Sequence, residues 1–201
     1  MSDTLHTVLD IARSRGFLGP GDVAFHVEHA RSFVDLVRGS KRILDLGSGG
    51  GLPGLVMATE LAESELVFLD ANQRRTEFLA EAVEQLGLDD RASVVTARAE
   101  EAARRPELRG TFDAVVARSF GPPAVVAECG APFLQLGGRL VVSEPPDGVD
   151  RWPVDHTAQL GLEPAEAVVT ERAHLRVLRL VRTCPDRYPR RVGVPAKRLL
   201  F

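Results

Sequence analysis

The chain has 201 residues, 44% of them hydrophobic and 26% charged, with a formal net charge of −3. This is ordinary globular composition; no run is long and apolar enough to span a membrane, no signal-peptide pattern opens the chain, and a reducing cytoplasm is the expected setting. Cys129 and Cys184 have no metal-ligand spacing and are expected to be buried thiols.

Thr4 to Phe17 carries Leu5, Val8, Leu9 and Ala12 at helical spacing, stopped by Gly16 and Gly19-Pro20-Gly21. A second helix is predicted from an Asp22 cap to Val37. His26 and His29 lie on it at an i, i+3 spacing that could ligate a metal, but no third ligand is evident and no metal is expected. From Lys41 the chain alternates strand and helix. Strands are predicted at Arg42–Leu46, Leu66–Asp70, Ala92–Thr96, Phe112–Ala117 and Arg139–Ser143. Helices are predicted at Pro53–Leu61, with Pro53 in the first turn, and over Gln73–Leu86, ending at Gly87. Two more are predicted over Pro123–Leu134 and Arg151–Leu160. A final antiparallel pair, about Ala165–Thr170 and His174–Arg182, precedes an irregular tail. The expected fold is therefore α/β, a doubly wound, mostly parallel seven-stranded sheet. It forms a single domain: N-terminal helices over 1–38, a core over 39–183 and a basic tail over 184–201.

The first strand ends in Asp45-Leu46-Gly47-Ser48-Gly49-Gly50-Gly51-Leu52-Pro53-Gly54. A strand, a glycine-rich turn and a helix start form a ligand-binding element, because glycine lets the backbone approach a ligand closely. A phosphate-binding loop would need Gly-Lys-Ser/Thr, and no lysine is present. The dinucleotide spacing Gly-x-Gly-x-x-Gly is met only by Gly49, Gly51 and Gly54, at the far edge of the turn. An acid before Gly-x-Gly suits S-adenosylmethionine (SAM), whose methionine part carries an ammonium and a sulfonium. Asp70 closes the second strand, where a carboxylate can accept both ribose hydroxyls.

Ligands in such sheets bind at the carboxyl ends of the strands. Asp45 and the Gly47–Gly51 loop, Ser48 included, are expected to face the methionine part. Asp70 is assigned to the ribose, with Ala71 beside the adenosine. Ala99 and Glu100, past the third strand, are placed to border the adenine; Glu100 could equally cap the next helix. Arg118, past the fourth strand, is expected between cofactor and substrate, where a guanidinium can grip a carboxylate or phosphate with two bonds. From Thr170 onward nine arginines and lysines stand against Glu171 and Asp186. That basic end can contact phosphate, or it can be a solvated face of strand arginines.

These motifs, with Leu69-Asp70, Arg98-Ala99-Glu100-Glu101, Phe112-Asp113-Ala114-Val115-Val116-Ala117-Arg118-Ser119-Phe120, Gly137-Gly138 and the closing Arg187-to-Lys197 segment, resemble the glucose-inhibited division protein B (GidB, RsmG) family of small-subunit rRNA guanine-N7 methyltransferases. The resemblance covers most of the chain after residue 22. It implies a class I SAM-dependent methyltransferase fold, SAM as cofactor, and 16S rRNA in the small ribosomal subunit as substrate. It also implies a basic tail, with Arg190, Arg191 and Lys197, that grips RNA. Guanine N7 has a free lone pair, so the lack of an obvious catalytic base fits. The chain departs from the family pattern at three places, the third being a short N-terminal helical part. Ser143-Glu144-Pro145 stands where the family usually has lysine and glycine, and His26-Val27-Glu28-His29-Ala30 stands where it has His-x-x-Asp-Ser. His26 and Glu144 are thus substrate-side candidates. The alternatives are a diverged methyltransferase acting on another RNA or on a small molecule, with Glu144 recognising an amine, and a non-catalytic SAM- or RNA-binding protein.

Overall fold

The structure, a computed structural model, describes residues 2–201. Two helices open it, α1 (Ser2–Ser14) and α2 (Val23–Val37). The Asp22 carboxylate caps α2 by accepting from the Ala24 N–H at 3.0 Å. Then follow β1 (Arg42–Leu46), α3 (Gly54–Glu60), β2 (Glu65–Asp70), α4 (Gln73–Gln85), β3 (Ala92–Thr96), α5 (Ala99–Ala102), β4 (Phe112–Ala117), α6 (Pro123–Gly130), β5 (Leu134–Glu144), α7 (Val154–Thr157), β6 (Leu162–Val169), β7 (His174–Leu180) and α8 (Val194–Lys197). One sheet runs in the order β3-β2-β1-β4-β5-β7-β6. The first five strands are parallel; β7 is antiparallel to both β5 and β6.

Both faces of the central strands are covered, which is why they read as continuous apolar runs. Alternate residues go to opposite layers. Ile43, Phe68, Ala114 and Val116 pack with α1 to α4, through Leu9, Phe33, Leu55 and Phe78. Leu44, Leu46, Val67, Leu69, Val115 and Ala117 pack on the other face, with Ala102, Val126 and Phe133.

Among the elements that differ from the sequence expectation, three do so for a clear local reason. α6 stops at Gly130 because Pro132 follows and cannot continue the helical ladder; a 3-10 turn, Ala131–Phe133, takes its place. β5 starts early, at Leu134, which pairs with Phe112 before a register shift resumes the ladder at Ala114↔Arg139. The helix expected from Arg151 begins only at Val154. Asp150 accepts from the Trp152 N–H at 3.0 Å and pairs with Arg176 at 2.5 Å, which pins an extended approach that buries Trp152.

Candidate functional site

The strand order reverses between β1 and β4, and the crevice outside their carboxyl ends is where a doubly wound sheet binds ligands. Three adjoining cavities lie along this edge. One, of about 220 Å³, is lined by Leu46, Gly47, Leu69, Asp70, Ala71, Arg75, Ala97 to Glu100, Ser119 and Phe120. A second, of about 370 Å³, lies between the Phe17–Pro20 turn and the glycine loop, and includes His26, Ser48, Gly49, Arg75 and Arg118. A third, of about 490 Å³, is lined by His29, Arg118 to Pro123, Val126, Val142 to Pro145 and Arg151. Ser119 borders all three, and among the described residues it is the non-glycine one with a left-handed backbone, φ 56°.

The glycine loop is built on β1 and tied to β2. Gly47 and Ser48 donate their N–H groups to the Leu69 carbonyl at 2.8 and 3.0 Å. Gly47 has φ 73°, and a Cβ there would collide with the Phe120 ring, so glycine is required twice over. Asp70 closes β2 with its carboxylate fixed on both sides. It accepts from the Gly49 N–H at 2.9 Å and the Asn72 N–H at 2.8 Å, with Arg75 at 3.6 Å. Each oxygen keeps a second lone pair facing the smallest cavity. With Ala71, Ala97 and Ala99 around it, this is a narrow cradle walled by small side chains and closed by an acid. It fits a nucleoside whose ribose hydroxyls donate to Asp70.

Not every residue singled out in the sequence lies on a cavity wall. Asp45 is corrected: it sits beneath the loop, 1% exposed, and its Oδ2 accepts from the Gly54 N–H at 3.1 Å. Its role here is to hold the start of α3. Burial, with Asp70 nearby, pushes its pKa up to about 7 against the opposing effects of the Gly54 N–H, Arg118 and Ser48. Gly51 also lies behind the wall, donating to the Ser48 carbonyl at 2.7 Å, and a Cβ there would run into Leu55. Glu100 does border the smallest cavity, but it caps no following helix. It lies within α5, and its Oε1 accepts from the Gly193 N–H in the tail at 2.9 Å.

Arg118 occupies the boundary between the second and third cavities. Its Nη2 donates to His26 Nδ1 at 2.7 Å. The lone pair must therefore be on Nδ1, which leaves the proton on Nε2, facing the Gly19 carbonyl at 3.3 Å. His26 thus links Arg118 to the N-terminal turn. Arg118 Nη1 is buried without a hydrogen-bond partner, and so is His29 Nδ1. Burial lowers the Arg118 pKa, with Asp45 opposing. Burial, then Arg118, then His26 bring His29 down to about 4, so its ring is neutral.

The basic tail divides into bound and free cations. Arg190 is committed to Glu128, which is fully buried. Its backbone N–H and Nε reach Oε1 at 2.8 Å each, and Nη2 reaches Oε2 at 2.6 Å. The expectation that Arg190 grips RNA is therefore corrected: it anchors the tail. Arg191 and Lys197 are exposed. Arg104 and Arg109 hold the tail by its carbonyls, at Pro189 and at Cys184, Pro185 and Tyr188. Burial pushes the Cys184 thiol up to about 12 and raises Cys129 as well, so both are inert. Among the described residues no group of three metal-ligating side chains exists, and no helix is long and apolar enough to cross a membrane.

Ser119 and Phe120 stood in the sequence only as part of the family motif and His29 only as one of a histidine pair; the chain's left-handed turn after β4 brings the first two to the wall, and His29 reaches it from α2.

The same fold occurs in solved methyltransferases. A methyltransferase from Geobacter sulfurreducens matches with a TM-score of 0.65 at 17% identity, over 89% of this chain and 90% of that one. An O-methyltransferase from Bacillus cereus, solved in complex with SAH, matches with a TM-score of 0.62 at 15% identity, over 90% and 91%. Taken with the family match that follows, the fold is that of a SAM-dependent methyltransferase. Residues 23–144 match the profile of the GidB family, described as rRNA small subunit methyltransferase G. Ribosomal RNA small subunit methyltransferase G of Syntrophomonas wolfei is 36% identical over 198 residues, covering 90% of this chain and 87% of that protein. The Prochlorococcus marinus NATL1A protein of the same name is 34% identical, covering 80% and 68%. The chain belongs to the rRNA small subunit methyltransferase G (GidB) family.

Proposed function

We propose that this enzyme methylates N7 of a guanine in small-subunit rRNA, in the cytoplasm where ribosomes are built. The observation that carries the chemistry is the acceptor cavity beside Arg118. Its one imidazole, His29, is depressed to about 4, too weak a base to remove a hydroxyl proton. A nucleophile that already holds a free lone pair needs no base, and guanine N7 is one. The names of the relatives point to small-subunit ribosomal RNA as the substrate.

In this reading SAM supplies an electrophilic methyl on a sulfonium. The Gly47–Gly49 loop, with Ser48, lies along its methionine part. Asp70 accepts from the ribose, and Ala71, Ala99 and Glu100 border the adenine. Arg118 orients the acceptor or the methionine carboxylate, held in place by His26. Arg191 and Lys197 meet RNA phosphates.

The test is methyl transfer from labelled SAM to small subunits from a strain lacking this gene, with the modified nucleotide mapped. Incorporation at a guanine N7 is expected. Turnover should fall steeply with salt as phosphate contacts are screened, and less steeply after Arg191→Ala and Lys197→Ala. A second reading rests on Glu144, whose carboxylate borders the acceptor cavity: a small amine as acceptor. It requires turnover indifferent to salt and no incorporation into subunits.

A further inference from the structure

The acceptor cavity, at about 490 Å³, is within the range of small-molecule pockets. Phe120, Pro122, Pro123, Val126 and Val142 give it apolar walls suited to a flat ring. Its polar groups are the specific part. From the end of β4, Arg118 borders it with its positive charge, its Nη1 buried below the wall. From the end of β5, two residues past the Ala117↔Val142 pairing, Glu144 brings a carboxylate.

That carboxylate is fixed. Oε1 accepts from Trp152 Nε1 at 3.0 Å and Oε2 from Arg151 Nη1 at 3.3 Å. Trp152 is 2% exposed, so its indole cannot swing away. Arg151 is shared with Asp147, so two carboxylates face one guanidinium and this wall keeps a negative charge. Each Glu144 oxygen accepts one bond and can accept another. The cavity therefore offers a pair of acceptors on one wall.

Of the RNA bases, guanine alone shows an acceptor, O6, beside two adjacent donors, N1–H and the N2 amine. Adenine and cytosine place a donor where O6 would be, and uracil has a single donor between two acceptors. We propose that Glu144 is the specificity-determining residue for the acceptor base: its carboxylate accepts from the adjacent N1–H and N2 amine, a donor pair that guanine alone presents. This rests on the guanine-N7 reading above. It leaves N7, on the far side of O6, free for the methyl.

The charge change favours the same residue. The N7 lone pair forms the new N–C bond as the S–C bond breaks, and that electron pair stays on sulfur. No proton leaves N7, and the purine gains the positive charge that sulfur loses. N1–H and the amine become stronger donors, so their bonds to Glu144 strengthen in the transition state. The neutral His29 adds no opposing charge.

The experiment compares wild type and Glu144→Gln on reconstituted small subunits carrying guanosine or inosine, which lacks the N2 amine, at the target position. Wild type should lose roughly 10-fold in kcat/KM on inosine, and Glu144→Gln roughly 100-fold on guanosine. Inosine should cost the variant nothing further. SAM affinity by calorimetry and the urea midpoint should be unchanged. An equal inosine penalty in both enzymes would overturn the proposal, since Glu144 would then only hold Trp152 and Arg151. If Glu144→Gln does not fold, wild type decides alone: no inosine penalty refutes it. If wild type methylates no guanine N7 at all, the underlying reading fails and takes this one with it.

Discussion

Arg190→Ala tests whether the tail is part of the fold. Glu128 is fully buried on α6 and receives three hydrogen bonds from Arg190. The truncation removes the two side-chain bonds and the positive charge, and leaves the carboxylate with the backbone N–H. Breaking a buried pair from one side costs about 3–5 kcal/mol. The Arg190 side chain is 28% exposed, so water reaches its outer face and the lower end, about 3 kcal/mol, is expected. In a urea titration this lowers the midpoint by roughly 1–2 M with no change in slope. Replacing both partners, Glu128→Leu with Arg190→Met, should recover most of the loss, because no buried charge is then left alone. A loss under about 1 kcal/mol, or the same loss in a Glu128→Ala background, would refute the assignment of Arg190 as an anchor.

Asp70→Ala should weaken SAM binding about 100-fold by calorimetry, since the ribose loses a charged acceptor and the Gly49 and Asn72 amides lose theirs; unchanged affinity would remove Asp70 from the cofactor site. Ser119→Gly should leave stability nearly unchanged, relief of left-handed strain offsetting the extra freedom of the unfolded chain, whereas Ser119→Val should lose about 2 kcal/mol in thermal unfolding. Equal stability of the two would show that φ at 119 is not held positive. Stability against pH should be nearly flat between about 4 and 6.5. The depressed His29 leaves the unfolded chain binding more protons there, so its contribution grows as pH rises and is lost as pH falls through the window. The raised Asp45 leaves the folded chain binding more, so its contribution shrinks as pH rises. Asp45→Asn should therefore uncover a rising slope and His29→Gln a falling one, each approaching about 1.4 kcal/mol per pH unit; parallel curves for all three proteins would contradict both shifts.

The sheet was legible because its signals are local. Each parallel strand is a short apolar run, and the turns that punctuate them carry glycine or proline. The cavity at the strand ends was legible for the same reason, since Gly47, Gly49 and Asp70 sit at strand ends that the pattern itself marks. Asp45 was misread because position along a strand does not tell which layer a side chain enters. It shares the face of Ile43 and lies under Gly54. The tail was misread for a different reason. Arg190 finds Glu128 62 residues away and Gly193 finds Glu100 93 residues away, and no spacing rule spans such distances. A basic run looks the same in sequence whether its charges are spent on buried carboxylates or left for phosphate.

The meeting of the three cavities follows from topology. β1 and β4 are neighbours in the sheet but their connections leave in opposite directions, so their ends stand open together. The first end carries Gly47, the second Ser119 and Phe120. Phe120 lies where a Gly47 side chain would be, so the glycine makes room for a ring from the neighbouring strand end. That ring borders both the nucleoside cradle and the acceptor cavity, while Arg118, one residue past β4, borders the acceptor cavity and the glycine loop. The left-handed turn at Ser119 sits between the two. The backbone strain is thus located at the residue that borders all three cavities.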